Sequence, residues 1–247
     1  MTVREAKRDG TLLSREHFRG LRGARAIQVA LDVQDIEHAL RVAASVASAG
    51  VDLIEVGDPL IKRVGLDAVR AVKEACPQVR VVAEMMSADW GREQVAMAAE
   101  AGADAVLLIG PASTASVRAA VQAGRRLGVP VALDVSTAHA DAAWEPPMES
   151  AGVDALAVTT NIDLGVSGRT PLQAAQRLRR WTRLPVLVSG GFSAADRSTL
   201  SSPEWDILVI GRSITEAVDP AGALRELQET LGRDTTSRSG AMLGGSR

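Results

Sequence analysis

Asp32, Glu55 and Glu84 stand at the carboxyl ends of three consecutive short apolar runs. If those runs are neighbouring strands, the three side chains meet over one mouth. Anions that close repel strongly unless a cation sits among them or one acid keeps its proton. An all-oxygen donor set suits Mg²⁺, which takes a few carboxylates and fills its other positions with water and substrate oxygens. Solvated strand-end acids with no ligand are the plain alternative, and a fourth acid, Asp134, is as readily a helix cap. The stretch Val81-Val-Ala-Glu-Met-Met-Ser-Ala-Asp89 adds a further carboxylate, Asp89, and places Met86 between it and Glu84. A thioether has no proton to deliver.

A second constellation is built to take an anion. Val188-Ser-Gly-Gly-Phe192 and Val209-Ile-Gly-Arg-Ser213 each close an apolar run and lead into a helical stretch. Glycines there let backbone N–H groups of Ser189, Gly190, Gly191 and Gly211 converge on a phosphate at a helix start. Arg212 adds a bidentate ion pair. The alternative is that the glycines make tight turns and nothing more. His139, near Ser136, Thr137 and Asp141, is the titratable group best placed to move a proton near neutral pH, with a plain surface turn as the competing reading.

These residues need a scaffold that aims strand ends at one point. Ala49-Gly-Val-Asp52, Ala101-Gly-Ala-Asp104 and Ala151-Gly-Val-Asp154 repeat one punctuation mark: helix, glycine stop, buried strand. Extending it predicts eight strands at Ile27–Asp32, Leu53–Val56, Val79–Glu84, Ala105–Ile109, Val131–Val135, Ala155–Thr159, Val186–Ser189 and Ile207–Ile210. Each is a near-continuous apolar run, as strands covered on both faces must be. The intervening stretches have helical spacing, for example Ile36, Ala39, Leu40 and Ala43. The α/β class is therefore expected as a single (β/α)₈ barrel over residues 25–232. A doubly wound open sheet is the competitor, but no glycine-rich fingerprint follows the first strand. Residues 1–24 form an N-terminal extension, expected as a helix across the barrel base or on a neighbouring subunit. Residues 233–247, rich in Ser, Gly, Thr and Arg, are expected to be a disordered tail.

The composition narrows the partners. In 247 residues, 46% hydrophobic with a net charge of −2, there is no basic face for nucleic acid and no polybasic patch for a membrane. The single cysteine, Cys76, rules out a disulfide framework or a cysteine metal site within one chain. No apolar stretch approaches the ~18 residues of a membrane span, and no signal-peptide pattern opens the chain. The expectation is a cytoplasmic enzyme acting on a small molecule.

Residues from about Ala26 to Leu231 resemble 3-hexulose-6-phosphate synthase and 3-keto-L-gulonate-6-phosphate decarboxylase, of the orotidine monophosphate decarboxylase superfamily. The matching segments are Val29-Ala-Leu-Asp32, Ile54-Glu-Val-Gly-Asp-Pro-Leu-Ile-Lys62, Glu100-Ala-Gly-Ala-Asp104, Gly168-Arg-Thr-Pro171, Ser189-Gly-Gly191 and Ile210-Gly-Arg212. The resemblance implies a barrel that works as a homodimer, with the surface near Asp58–Lys62 and the start of the third helix buried. It also implies Mg²⁺ on Glu55 and Glu84, Asp89 reaching into the partner's site, and Arg169 joining the phosphate-binding set. The implied activity is that of a metal-dependent carbon–carbon lyase or aldolase acting on a phosphorylated ketose through an enediolate, with Asp32, Asp89 or His139 moving the proton.

Two departures bear on that activity. The family motif on strand three runs Asp-x-Lys-x-x-Asp, whereas this chain has Glu84, Met86 and Asp89, and its lysines are Lys7, Lys62 and Lys73. At the end of strand six, where synthase-like members carry histidine, it reads Val158-Thr-Thr-Asn161. Loss of both proton carriers leaves open a different reaction on a phosphorylated sugar (isomerisation, condensation or ring closure) or a non-catalytic paralogue that binds a phosphorylated ligand.

Overall fold

In the computed structural model, which describes residues 18–109, 112–135, 149–160 and 170–233, each of the eight apolar runs is a strand: β1 (Ala26–Leu31), β2 (Leu53–Val56), β3 (Arg80–Glu84), β4 (Ala105–Ile109), β5 (Val131–Asp134), β6 (Ala155–Thr159), β7 (Val186–Ser189) and β8 (Ile207–Ile210). They pair in sequence order, and β8 pairs with β1 in parallel to close a barrel. The open-sheet alternative is therefore excluded. Around the barrel run α1 (Ile36–Ser48), α2 (Asp58–Val64), α3 (Asp67–Ala75), α4 (Gly91–Glu100), α5 (Thr114–Leu127), α6 (Pro171–Leu178), α7 (Arg197–Leu200), α8 (Arg212–Thr215) and α9 (Pro220–Thr230). The strict one-helix alternation does not hold between β2 and β3. There Gly65, at φ 83°, breaks the segment into α2 and α3 because the left-handed region suits glycine. No helix among the described residues is long and apolar enough to cross a membrane.

Strand side chains alternate between two cores. Ile27, Val29, Leu31, Ile54, Val56, Val81 and Ala83 face the helices in one buried cluster. Ala26, Ala30, Leu53, Val82, Ala105, Ala132, Ala155, Ala157 and Leu187 form a second cluster inside the barrel, which Phe18 and Leu21 join. Alanine and larger aliphatic side chains share the interior, and the segment before β1 helps to fill it.

The helix–glycine–strand repeat has a physical purpose. Gly50, Gly102 and Gly152 all stop their helices at positive φ, and the aspartate two residues later reaches to the start of the preceding strand. Asp52 accepts Ile27 N–H at 2.9 Å, Asp104 accepts Val81 N–H at 2.8 Å and Asp154 accepts Val131 N–H at 3.0 Å. Asp206 does the same to Val186 N–H at 2.7 Å, although Ser202-Pro-Glu-Trp-Asp206 lacks the glycine signature. Each aspartate also has a base: Arg233, Lys73, Arg19 and Arg179 respectively. Four paired acids therefore staple the base of the barrel. Cys76 is buried where α3 ends and makes no disulfide.

Candidate active site

At the opposite face, Asp32 follows β1 directly, Glu55 lies in β2 and Glu84 ends β3. One carboxylate oxygen from each can be chosen so that all three lie within 4.8 Å of one another. Backbone holds two of them in place. Glu84 Oε2 accepts Asp58 N–H at 2.8 Å, at the first residue of α2. Asp32 lies against Gly57, where a Cβ would stand 2.0 Å from its Oδ1, so any larger residue would displace the carboxylate. Glu55 is buried and accepts the side-chain amide of Gln28 from β1. None of the three makes an ion pair with a basic side chain among the described residues.

Their proton affinities report this crowding. Glu84 is raised to about 7, mostly by loss of solvent and further by Asp32, Asp134 and Asp58, with the Asp58 N–H working against the shift. Glu55 is raised well above the carboxylate range by burial, then by Glu84, Asp32 and Asp134; the Gln28 amide works against it. Asp32 is exposed by surface area yet hemmed in by protein, so lost solvation raises it too; Asp58 adds to this and Arg212 opposes it. Asp134, buried at the end of β5, thus acts on the cluster through its charge. The donor set is all oxygen and anionic, and one divalent cation would relieve the repulsion at all three positions at once.

The expected anion loops are neighbours. Ser189 pairs with Val209 across β7 and β8, and Ser213 Oγ donates to the Phe192 carbonyl at 2.8 Å, tying one loop to the other. Gly191 has φ 71°, and a Cβ at Gly190 would stand 2.8 Å from the Pro171 ring and 3.0 Å from Thr160 Oγ1, so both glycines are required by shape. Gly211 faces the acids: its Cβ position lies 3.6 Å from Asp32 Oδ2. The exposed Arg212 follows it. The two glycine loops and the carboxylates therefore share one mouth, with Asp32 at the junction.

The loop after β3 is strained. Met86 (φ 43°) and Trp90 (φ 55°) both adopt the left-handed region that bulky residues rarely enter, and both are exposed, at 38% and 68%. Met86 thus stands partly open to solvent rather than in the core. Asp89 does not join the acid cluster of its own chain; its Oδ1 accepts Ser116 Oγ at 3.2 Å and Trp90 N–H at 2.8 Å. His139 and Arg169 lie outside the described residues.

Sequence reasoning missed Gln28, Gly57 and Asp58. A glutamine inside an apolar strand run was a readable sign of a buried polar partner. The Gly57 contact was not readable, because it depends on how β1 and β2 register, with Leu31 opposite Val56.

Residues 25–227 match the orotidine 5'-phosphate decarboxylase / HUMPS family. The chain belongs to this family. It is 31% identical over 205 residues to a 3-hexulose-6-phosphate synthase of Mycobacterium gastri, covering 83% of this chain and 99% of that protein. The counterpart from Bacillus subtilis (strain 168) is 25% identical over 206 residues, at 83% and 98% coverage. Among solved structures, 3-hexulose-6-phosphate synthase from Salmonella typhimurium superposes with a TM-score of 0.76 at 31% identity, covering 83% of this chain and 98% of the other. KGPDC from Streptococcus mutans superposes at 0.73 with 25% identity, at 83% and 96% coverage.

Proposed function

We propose that the protein is a metal-dependent carbon–carbon lyase or aldolase of the 3-hexulose-6-phosphate synthase type, acting on a phosphorylated ketose. The observation that carries this reading is the meeting of Asp32, Glu55 and Glu84 beside the Ser189–Gly191 and Gly211–Arg212 loops. Glu55 and Glu84 would hold Mg²⁺, which when bound polarises the ketose oxygens and offsets enediolate charge. The backbone of Ser189, Gly190, Gly191 and Gly211, with the Arg212 side chain and Arg169, grips the phosphate and places the sugar over the acids. Asp32, the open member of the cluster, takes a proton from the carbon beside the ketose carbonyl. That carbon then forms the new bond to an aldehyde carbon, and the aldehyde oxygen accepts the proton; cleavage runs the same steps backwards. Asp89, turned from its own cluster toward Ser116, serves the site of a second copy in a homodimer, and His139 is a further proton carrier. A monomer by light scattering at micromolar concentration would remove the role of Asp89.

Met86 separates this reaction from its decarboxylating relatives. Decarboxylation must end with a proton delivered to the enediolate carbon, and nothing at position 86 can deliver one. Aldol chemistry ends on an aldehyde carbon, so it tolerates the substitution. Wild type should therefore decarboxylate 3-keto-L-gulonate 6-phosphate slowly, by the ~10²–10⁴-fold that a positioned acid contributes, and Met86→Lys should recover part of that rate. The check is to assay both proteins for decarboxylation and for formaldehyde addition to ribulose 5-phosphate. Rapid decarboxylation by wild type would refute the argument. Inactivity of both proteins in both assays would favour isomerisation, condensation or ring closure on a phosphorylated sugar, or ligand binding without catalysis.

A further inference from the structure

Gln28 is the residue of the barrel interior with the least reason to be there. It lies in the middle of β1 with a side chain 0% exposed, level with Leu53 on β2 and Val209 on β8. The interior layers around it are mostly alanine, leucine and valine. Burying an amide among such groups is unfavourable unless each polar atom finds a partner. Only half of this one does: Nε2 donates to Glu55 Oε2, and Oε1 has no partner among the described residues. An apolar side chain of the same length would fill the space without leaving a buried acceptor unsatisfied, so stability alone does not account for a glutamine.

What the amide does supply is direction. Glu55 is buried, and among the described residues Gln28 is its hydrogen-bond donor. Its neighbours Asp32, Glu84 and Asp134 all push its charge away. Glu84 and Asp32 are steered by backbone, through Asp58 N–H and the Gly57 contact, whereas among the described residues Glu55 is steered by this side chain alone. Without the donor, a carboxylate in that place turns to whichever rotamer best escapes the other acids.

We propose that Gln28 is a positioning residue that holds the Glu55 carboxylate in the orientation a divalent cation needs, at the expense of stability in the metal-free protein. This rests on the reading of Glu55 and Glu84 as cation ligands. A donor to a ligating carboxylate is worth about 10–100-fold in metal affinity. A residue kept only for packing predicts the reverse pattern, with no effect on metal and a loss of metal-free stability.

The test compares wild type with Gln28→Met and Gln28→Leu, titrating each with MgCl₂ by calorimetry and recording Tm in EDTA and in excess Mg²⁺. The expected result is Mg²⁺ binding weakened about 10–100-fold, a smaller Mg²⁺-induced rise in Tm, and a Tm in EDTA that is unchanged or higher. Because the Mg²⁺-induced rise is read on each variant against itself, a variant that is less stable still reports. Equal Mg²⁺ affinity in wild type and both variants would overturn the proposal while leaving the metal reading intact. No Mg²⁺ binding by wild type would overturn both.

Discussion

The two ends of this barrel use the same chemical group in opposite ways. At the base, Asp52, Asp104, Asp154 and Asp206 each accept a strand N–H and face a lysine or arginine. At the mouth, Asp32, Glu55 and Glu84 face one another. Burial raises the proton affinity of Asp104 as well, but Lys73 and the Val81 N–H pull it back; nothing comparable opposes the shift at Glu55 beyond one amide. A buried acid with its own cation and a backbone donor is part of the fold. A set of acids that face one another, with no ion pair to a basic side chain among the described residues, carries a repulsion that the fold leaves standing.

That contrast is most directly broken at the base. Asp206 accepts Gly23 N–H and Val186 N–H and pairs with Arg179. Asp206→Ala takes the carboxylate from a largely buried guanidinium, which keeps only the Glu204 and Leu184 carbonyls among the described residues, and from two N–H groups, and should cost about 3–5 kcal/mol in urea unfolding. If the variant is as stable as wild type, the base acids are not staples. Mg²⁺ affinity of the folded fraction should be unchanged.

At the mouth the sign reverses, and pH shows it. Glu84 titrates near 7 in the folded protein, against about 4.3 in an unfolded chain. Between those values the folded state binds more protons than the unfolded state, so stability from this group is complete below about pH 4 and is lost as pH rises through 7. Glu55 acts in the same direction. In EDTA, stability should fall by on the order of 3 kcal/mol between pH 5 and pH 8. Glu84→Gln should flatten that fall and abolish the Mg²⁺ titration heat. Stability that climbs over this range in the metal-free protein would mean that the mouth acids are compensated after all.

Arg212 sharpens the comparison on a finer scale. It is the basic side chain whose charge is felt by Asp32, yet it makes no ion pair with it among the described residues. If its purpose is the ligand's phosphate, Arg212→Ala should weaken binding of a phosphorylated sugar by about 1.5–3 kcal/mol with little change in stability, measured by calorimetry and thermal unfolding. Unchanged affinity would place the phosphate elsewhere.

Much of this architecture is present in the linear order of residues. The eight strands fall within a residue or two of the apolar runs, because a strand buried on both faces has few ways to hide its pattern. The glycine stops at 50, 102 and 152 announce the repeat, and Ser189-Gly-Gly191 and Ile210-Gly-Arg212 mark the two glycine loops after the last strands. The local chain does not decide what each acid does. Asp52 comes before its strand, after a glycine stop, and Asp32 comes after its strand, so the chain tells base from mouth but not which charges each acid will meet. Asp52 becomes a staple because Arg233, 181 positions away, folds back onto it. Asp32 becomes part of a site because β1 closes against β8 and pairs with β2, which sets Gly211 and Gly57 around its carboxylate. Gln28 depends on tertiary structure in the same way: its amide has meaning only once β2 brings Glu55 beside it. Periodicity and turn chemistry are local properties and can be read along the chain, whereas the pairing of charges is a property of distance in space.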